Sequence, residues 1–181
     1  GITDDLTVAA TPIVSRASLR ERPIATTASV AGQTVRVFAT TTAGDMLGKR
    51  GWYIDLDSAI SPGERIVVRS QVIPAIVPAL MVSSLYPVAD QCTAGGEGYL
   101  NFVSPFTGGR IELDLIDVND DGITNAADRL SGVSVSSIKL NVGVPTTPLF
   151  LGGGGAPTVG SIKRTDGSTL FTPSAGGGSE E

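Results

Sequence analysis

The chain has 181 residues, 41% hydrophobic and 17% charged, which suffices to bury a core and is too apolar for a disordered segment. Its 18 acidic residues outnumber 13 basic ones for a net charge of -5, with no basic stripe, which argues against nucleic-acid binding. It has no histidine, which removes Ser-His-Asp and Cys-His catalysis and every His-ligated metal site.

With 23 Gly and 11 Pro among many Val, Thr and Ile, the sequence reads as short strands joined by tight turns, and helical periodicity is almost absent. The N-terminal stretch GITDDLTVAA lacks the regions of a signal peptide, so the chain is expected to be a mature product or a piece of a longer protein. The first predicted strand is residues 7–14. RPIATTASV and QTVRVFATT follow, flanking Ala31-Gly32 as a hairpin turn. In the second, Thr34, Arg36 and Phe38 alternate with Val35, Val37 and Ala39, the period of a half-buried strand.

Residues 51–56 (GWYIDL), 63–69 (GERIVVR), 80–86, 98–103 and 109–116 continue the strand pattern. The apolar run 72–82 holds two prolines and is too short to cross a membrane. After an acidic loop come strands at 132–142 and 148–151, then a hairpin of 158–164 and 168–171 turned by Asp166-Gly167. Gly152–Gly155 and the tail SAGGGSEE read as flexible linkers. The fold class is mainly β: a sandwich, a barrel, or a β-propeller or part of one.

The acidic loop is DVNDDGITNAAD, residues 117–128. It matches the calcium template D-x-[DN]-x-[DN]-G, with Asp117, Asn119 and Asp121 at positions one, three and five. Gly122 takes the position needing a sharp turn, Ile123 offers its carbonyl, and Asn125 and Asp128 take the last two ligand positions. Hard oxygen ligands without sulfur or imidazole select Ca²⁺ over transition metals. Asp at the last position reaches less far than the usual Glu, which points to affinity of about 10⁻⁴–10⁻³ M or somewhat tighter. The arm before the loop is strand-like, so this is a strand-loop site, with one helical turn expected at 126–130. Crowded carboxylates repel, so the loop is expected to order only with metal, and Asp121→Ala to loosen the strands beside it.

Other candidates are weaker. Cys92 alone has no base for a thiolate and reads as a free thiol or as paired outside the chain. Trp52 and Tyr53 read as core rather than a sugar platform. Asp55, Asp57 and Glu64 read as water-facing strand-end and turn residues rather than a glycosidase pair. Gly152–Gly155 lacks the Lys-Ser/Thr of a phosphate loop. No enzyme activity is expected. Thr- and Val-rich edge strands suit β-augmentation, with no edge singled out.

Several segments in order resemble the C-terminal region of the PilY family, large proteins of the type IV pilus tip and its assembly. They are TVRV (34–37), KRGWYIDL (49–56), GERIVVRSQVI (63–73), CTAGGEGYLNFVSPFTGGR (92–110), DVNDDG (117–122) and GVPTTPLFL (143–151). The resemblance implies a β-propeller with a calcium loop and a role in pilus extension, surface attachment and twitching motility. It carries the calcium positions onto Asp117, Asn119, Asp121, Ile123 (carbonyl) and Asn125, the last standing where the family often has Asp; Asp128 would compensate. It implies a pilus-associated, extracellular location reached through the periplasm. The implied partners are minor pilins or other pilus components, and a host or abiotic surface ligand. Residues 1–151 would form the propeller-like region and 152–181 a linker, a final hairpin and a tail. Family members are much longer and carry a large N-terminal adhesive region. The alternative is a secreted β-domain, an adhesin or carbohydrate-binding accessory module, with purely structural calcium.

Overall fold

A computed structural model describes residues 1, 15–56, 58–73, 77–88 and 96–140, with the backbone of three further strands between 149 and 173. In chain order the strands are β1 (Arg20–Glu21), β2 (Ile24–Val30), β3 (Gln33–Phe38), β4 (Trp52–Tyr53), β5 (Gln71–Ile73) and β6 (Ala79–Tyr86). There follow β7 (Glu97–Val103), β8 (Ser137–Leu140), β9 (Leu149–Leu151), β10 (Val159–Lys163) and β11 (Thr169–Pro173). The main element is an open antiparallel sheet of six strands in the order β2-β3-β8-β7-β6-β5. β1 and β4 form a short parallel ladder, and β11-β10-β9 a separate three-stranded antiparallel sheet.

The hairpin expected around Ala31-Gly32 forms. Both residues have positive φ, 49° and 81°, the left-handed pair that a two-residue type I′ turn requires. The apolar run 72–82 divides because proline cannot donate to a central ladder: β5 ends before Pro74 and β6 begins after Pro78.

Register decides what each face of the sheet buries. Val35 pairs with Ile138, which pairs with Leu100, and Met81 pairs with Phe102. These residues, with Ala79, Ile73 and Leu140, pack under Ile111, Ile116, Val118 and Val135 from the segment between β7 and β8. On the opposite face Phe38 and Val103 pack with Trp52, helped by Ile24, Met46, Ile54, Leu56 and Leu80. Each fully buried aliphatic or aromatic side chain contributes roughly 1.5–3 kcal/mol, so these two clusters hold the layers together. Because both faces are covered, β3 is buried without interruption from Val35 to Phe38. The half-buried alternation expected there is thus corrected, and Arg36 lies inside.

Two expected strands are not strands. Residues 63–69 share one backbone bridge with the sheet, Arg65 to Leu85; Gly63 turns with φ 73° and Glu64 points inward. Residues 109–116 cross over the sheet; the Gly109 carbonyl accepts the Ser104 N–H at 2.9 Å and the Arg110 N–H donates to the Ala39 carbonyl at 3.0 Å. Their apolar residues serve the interlayer core rather than a ladder. Residues 51–56 contribute only the two residues of β4, and of the expected strand 132–142 the described residues, 132–140, contribute the four of β8. A 3-10 turn at Ala126–Asp128 occupies the site of the expected helical turn.

Among the described residues no helix is long and apolar enough to cross a membrane. The expected strand at 7–14, Cys92, the glycines 152–155, the Asp166-Gly167 turn and the tail lie outside the described residues. The paired strands β9 and β10 stand on either side of the 151/152 boundary.

Candidate metal centre

The acidic loop is anchored in the core at its start. Ile116 and Val118, on either side of Asp117, are each 2% exposed and belong to the cluster beneath the sheet. After the loop, Leu130 bridges Val133, and Val135 returns to the same cluster. The segment between is held out from a fixed base.

Its side chains bind its own backbone. Asp117 accepts the N–H of Asp121 on Oδ1 at 3.2 Å and that of Gly122 on Oδ2 at 2.8 Å. Asn119 Oδ1 accepts the same Asp121 N–H at 3.2 Å, so these two oxygens converge on one nitrogen. Asp121 Oδ1 accepts the Ile123 N–H at 2.9 Å, and its Oδ2 accepts from Asn119 Nδ2 at 2.9 Å. Gly122 has the positive φ its position calls for, 87°, and Asp120 before it is also left-handed at 60°. Ile123 turns its side chain to solvent.

Asn125 and Asp128 act elsewhere in the loop. Asn125 Oδ1 accepts the Ala127 N–H at 2.7 Å and caps the 3-10 turn. Asp128, 1% exposed, accepts the N–H groups of Val118 and Asn119 on Oδ1 at 2.7 and 3.2 Å. Its Oδ2 accepts the Asn125 N–H at 2.8 Å, completing a capping box. The six expected ligands thus divide: Asp117, Asn119 and Asp121 meet at the turn with Ile123 beside them, while Asn125 and Asp128 close the exit.

Among the described residues no three His, Cys, Asp or Glu side chains are grouped as a ready metal cage. The turn's donors are all oxygen, two from carboxylates and one from a carboxamide, and each retains a lone pair beyond its backbone bond. That set fits a hard cation such as Ca²⁺.

A clamp sits below the loop. Arg129 Nε donates to both oxygens of Asp114 at 3.0 and 2.9 Å, and Ser134 Oγ donates to the same carboxylate at 2.7 Å. Burial of Asp114 pushes its pKa up, but the hydrogen bonds from Arg129 and Ser134 and the charge of Arg129 prevail and leave it lowered. The hydrogen bond to Asp114 raises the Arg129 pKa in turn.

The other candidate residues lie away from the loop. Trp52 is core, as expected, with its indole N–H on the Pro105 carbonyl at 3.1 Å. It also lines, with Phe38, Ile66, Leu80, Val82 and Val103, an apolar cleft of about 310 Å³ that nothing in the sequence flagged. Asp55 pairs with Arg16 at the surface, 2.7 Å apart. Glu64 contradicts the water-facing expectation: its side chain is 0% exposed and paired with Arg36 at 2.9 Å. Asp57 lies outside the described residues. The one sequence signal for the buried pair was an arginine inside the otherwise apolar strand TVRVF.

No family model matches the chain. It is 34% identical over 175 residues to the type IV pilus biogenesis factor PilY1 homolog of Xylella fastidiosa, covering 92% of this chain and 13% of that protein. It is 26% identical over 101 residues to the type IV pilus biogenesis factor PilY1 of Pseudomonas aeruginosa, covering 56% of this chain and 8% of that one. The fold is similar to the crystal structure of the Pseudomonas aeruginosa PilY1 C-terminal domain, with a TM-score of 0.64 at 17% identity over 91% of this chain and 33% of that chain. The chain therefore spans a small part of the relatives it matches.

Proposed function

Because the chain is a PilY-type C-terminal region, we propose that it is a non-enzymatic, calcium-binding module of a type IV pilus-associated protein. In this reading the open six-stranded sheet is part of a β-propeller completed by the rest of a longer protein. The module acts outside the cell or at its surface, where it supports pilus assembly and extension, surface attachment and twitching through contacts with other pilus components.

The observation that carries the reading is the turn at 117–123, in which Asp117 and Asn119 oxygens converge on one N–H with Asp121 beside them. Asp117, Asn119 and Asp121 would hold the ion with side-chain oxygens, and Ile123 with its carbonyl. Bound there, calcium neutralises crowded carboxylates at a segment whose base is packed into the core, so ion binding and the rigidity of that face are coupled.

The test is genetic. In a piliated bacterium carrying the full-length protein, Asp117→Ala with Asp121→Ala is expected to reduce surface pili and twitching while protein abundance stays at the wild-type level. Normal piliation and twitching in the double variant would remove the proposed role.

A further inference from the structure

We infer that Asp128 is a latch that shapes the acidic loop and lies outside the ion's coordination shell. The calcium half of this inference rests on the proposed function; the latch half does not. A carboxylate offers about four lone-pair sites. Asp128 has committed three of them to backbone N–H groups, two on Oδ1 from Val118 and Asn119 and one on Oδ2 from Asn125. Oδ1 is saturated, so the two-oxygen grip of a calcium loop's last position is unavailable to it. Its burial also separates it from its neighbours: Asp128 is 1% exposed, whereas Asp121 is exposed and Asp117 and Asn119 are half-exposed.

The donors identify what the latch joins. Val118 and Asn119 are on the arm entering the loop, and Asn125 is on the arm leaving it. One buried carboxylate therefore ties the two arms together across the neck, just above the clamp of Asp114 and Arg129. Replacing the carboxylate by a carboxamide keeps one acceptor oxygen and turns an NH₂ group toward the N–H of the other arm at a buried position. That disturbs the loop whether or not an ion is present.

The consequence for the ion is a smaller shell. With Asp128 engaged and Asn125 Oδ1 capping the 3-10 turn, the loop offers one oxygen each from Asp117, Asn119, Asp121 and the Ile123 carbonyl. Water must then supply the rest of the six to eight oxygens calcium takes, which places affinity at the weak end, about 10⁻⁴–10⁻³ M.

The experiment compares Asp128→Asn and Asp121→Asn with the wild-type chain by thermal unfolding in chelator, backbone amide exchange in chelator, and calorimetric titration with CaCl₂. Asp128→Asn is expected to lower Tm in chelator and to speed exchange on the arm that its NH₂ faces, at Asn125 or at Val118 and Asn119, while Asp121→Asn leaves both at wild-type values and weakens calcium binding about tenfold or more. An Asp128→Asn protein with unchanged Tm and exchange in chelator, but calcium binding weakened as in Asp121→Asn, overturns the inference and makes Asp128 a ligand. If Asp128→Asn does not fold, wild-type exchange in chelator decides: protected Val118 and Asn125 amides support the latch, and unprotected ones reject it. If no protein binds calcium, the calcium reading fails while the exchange data still settle the latch.

Discussion

The guanidinium of Arg36 lies over the ring of Tyr99, its central carbon 3.4 Å from the ring centroid. The same group donates from Nη1 to both oxygens of Glu64, at 3.1 and 2.9 Å, and from Nη2 to Ser61 Oγ at 2.7 Å. Ser84 Oγ donates to Glu64 from β6 at 2.5 Å. A charge pair with 1% and 0% side-chain exposure thus joins β3 directly to the segment after β4, with a ring of β7 stacked on its guanidinium.

Arg36→Met leaves Glu64 buried without its counter-charge, and the expected loss is about 3–5 kcal/mol. Arg36→Met with Glu64→Gln removes both charges and is expected to recover much of that loss. Denaturant unfolding of both variants measures it. Equal stability of the single variant and the wild type would mean that Glu64 swings out to water instead.

Asp45 gives an acid signature. The hydrogen bonds from Arg22, at 2.6 and 3.0 Å, hold its carboxyl down to about 2 from the ordinary 3.8. A group lowered in the folded state stabilises the fold above its unfolded pKa and loses that contribution as pH falls through its folded pKa. The contribution of Asp45 is therefore complete above pH 3.8 and disappears as pH falls toward about 2. Unfolding midpoints between those limits should fall less steeply for Asp45→Asn than for wild type. Parallel slopes would contradict the assignment.

Gly108 packs its α-carbon against an indole. Its φ is +67°, and a Cβ there would sit 2.2 Å from Trp52 Cδ2. Gly108→Ala must displace the ring or the turn, at a cost of about 1–3 kcal/mol. A shift in Trp52 fluorescence together with a lower Tm checks it; unchanged emission would mean that the turn yields rather than the ring.

What the sequence made legible follows from how local each cause is. The Ala31-Gly32 hairpin was readable because two adjacent dihedrals set it. The strands at 80–86 and 98–103 were readable because register and burial agree there. Residues 109–116 misled because alternating apolar residues report burial, and burial over a sheet looks like membership in one. Glu64 misled because its partner, Arg36, is 28 positions earlier in the chain. In the loop, spacing marks the template positions but not which of their oxygens accept backbone N–H groups, so it does not separate the buried Asp128 from the exposed Asp121.

The central claim is that the loop at 117–128 binds calcium through the turn formed by Asp117, Asn119 and Asp121. Calorimetric titration of the chain with CaCl₂ into the millimolar range, beside Asp117→Ala with Asp121→Ala, tests it most directly. The account predicts saturable one-site binding by the wild type, a Tm that falls in chelator, and neither effect in the double variant. No binding heat at millimolar calcium and the same wild-type Tm with and without chelator would contradict it.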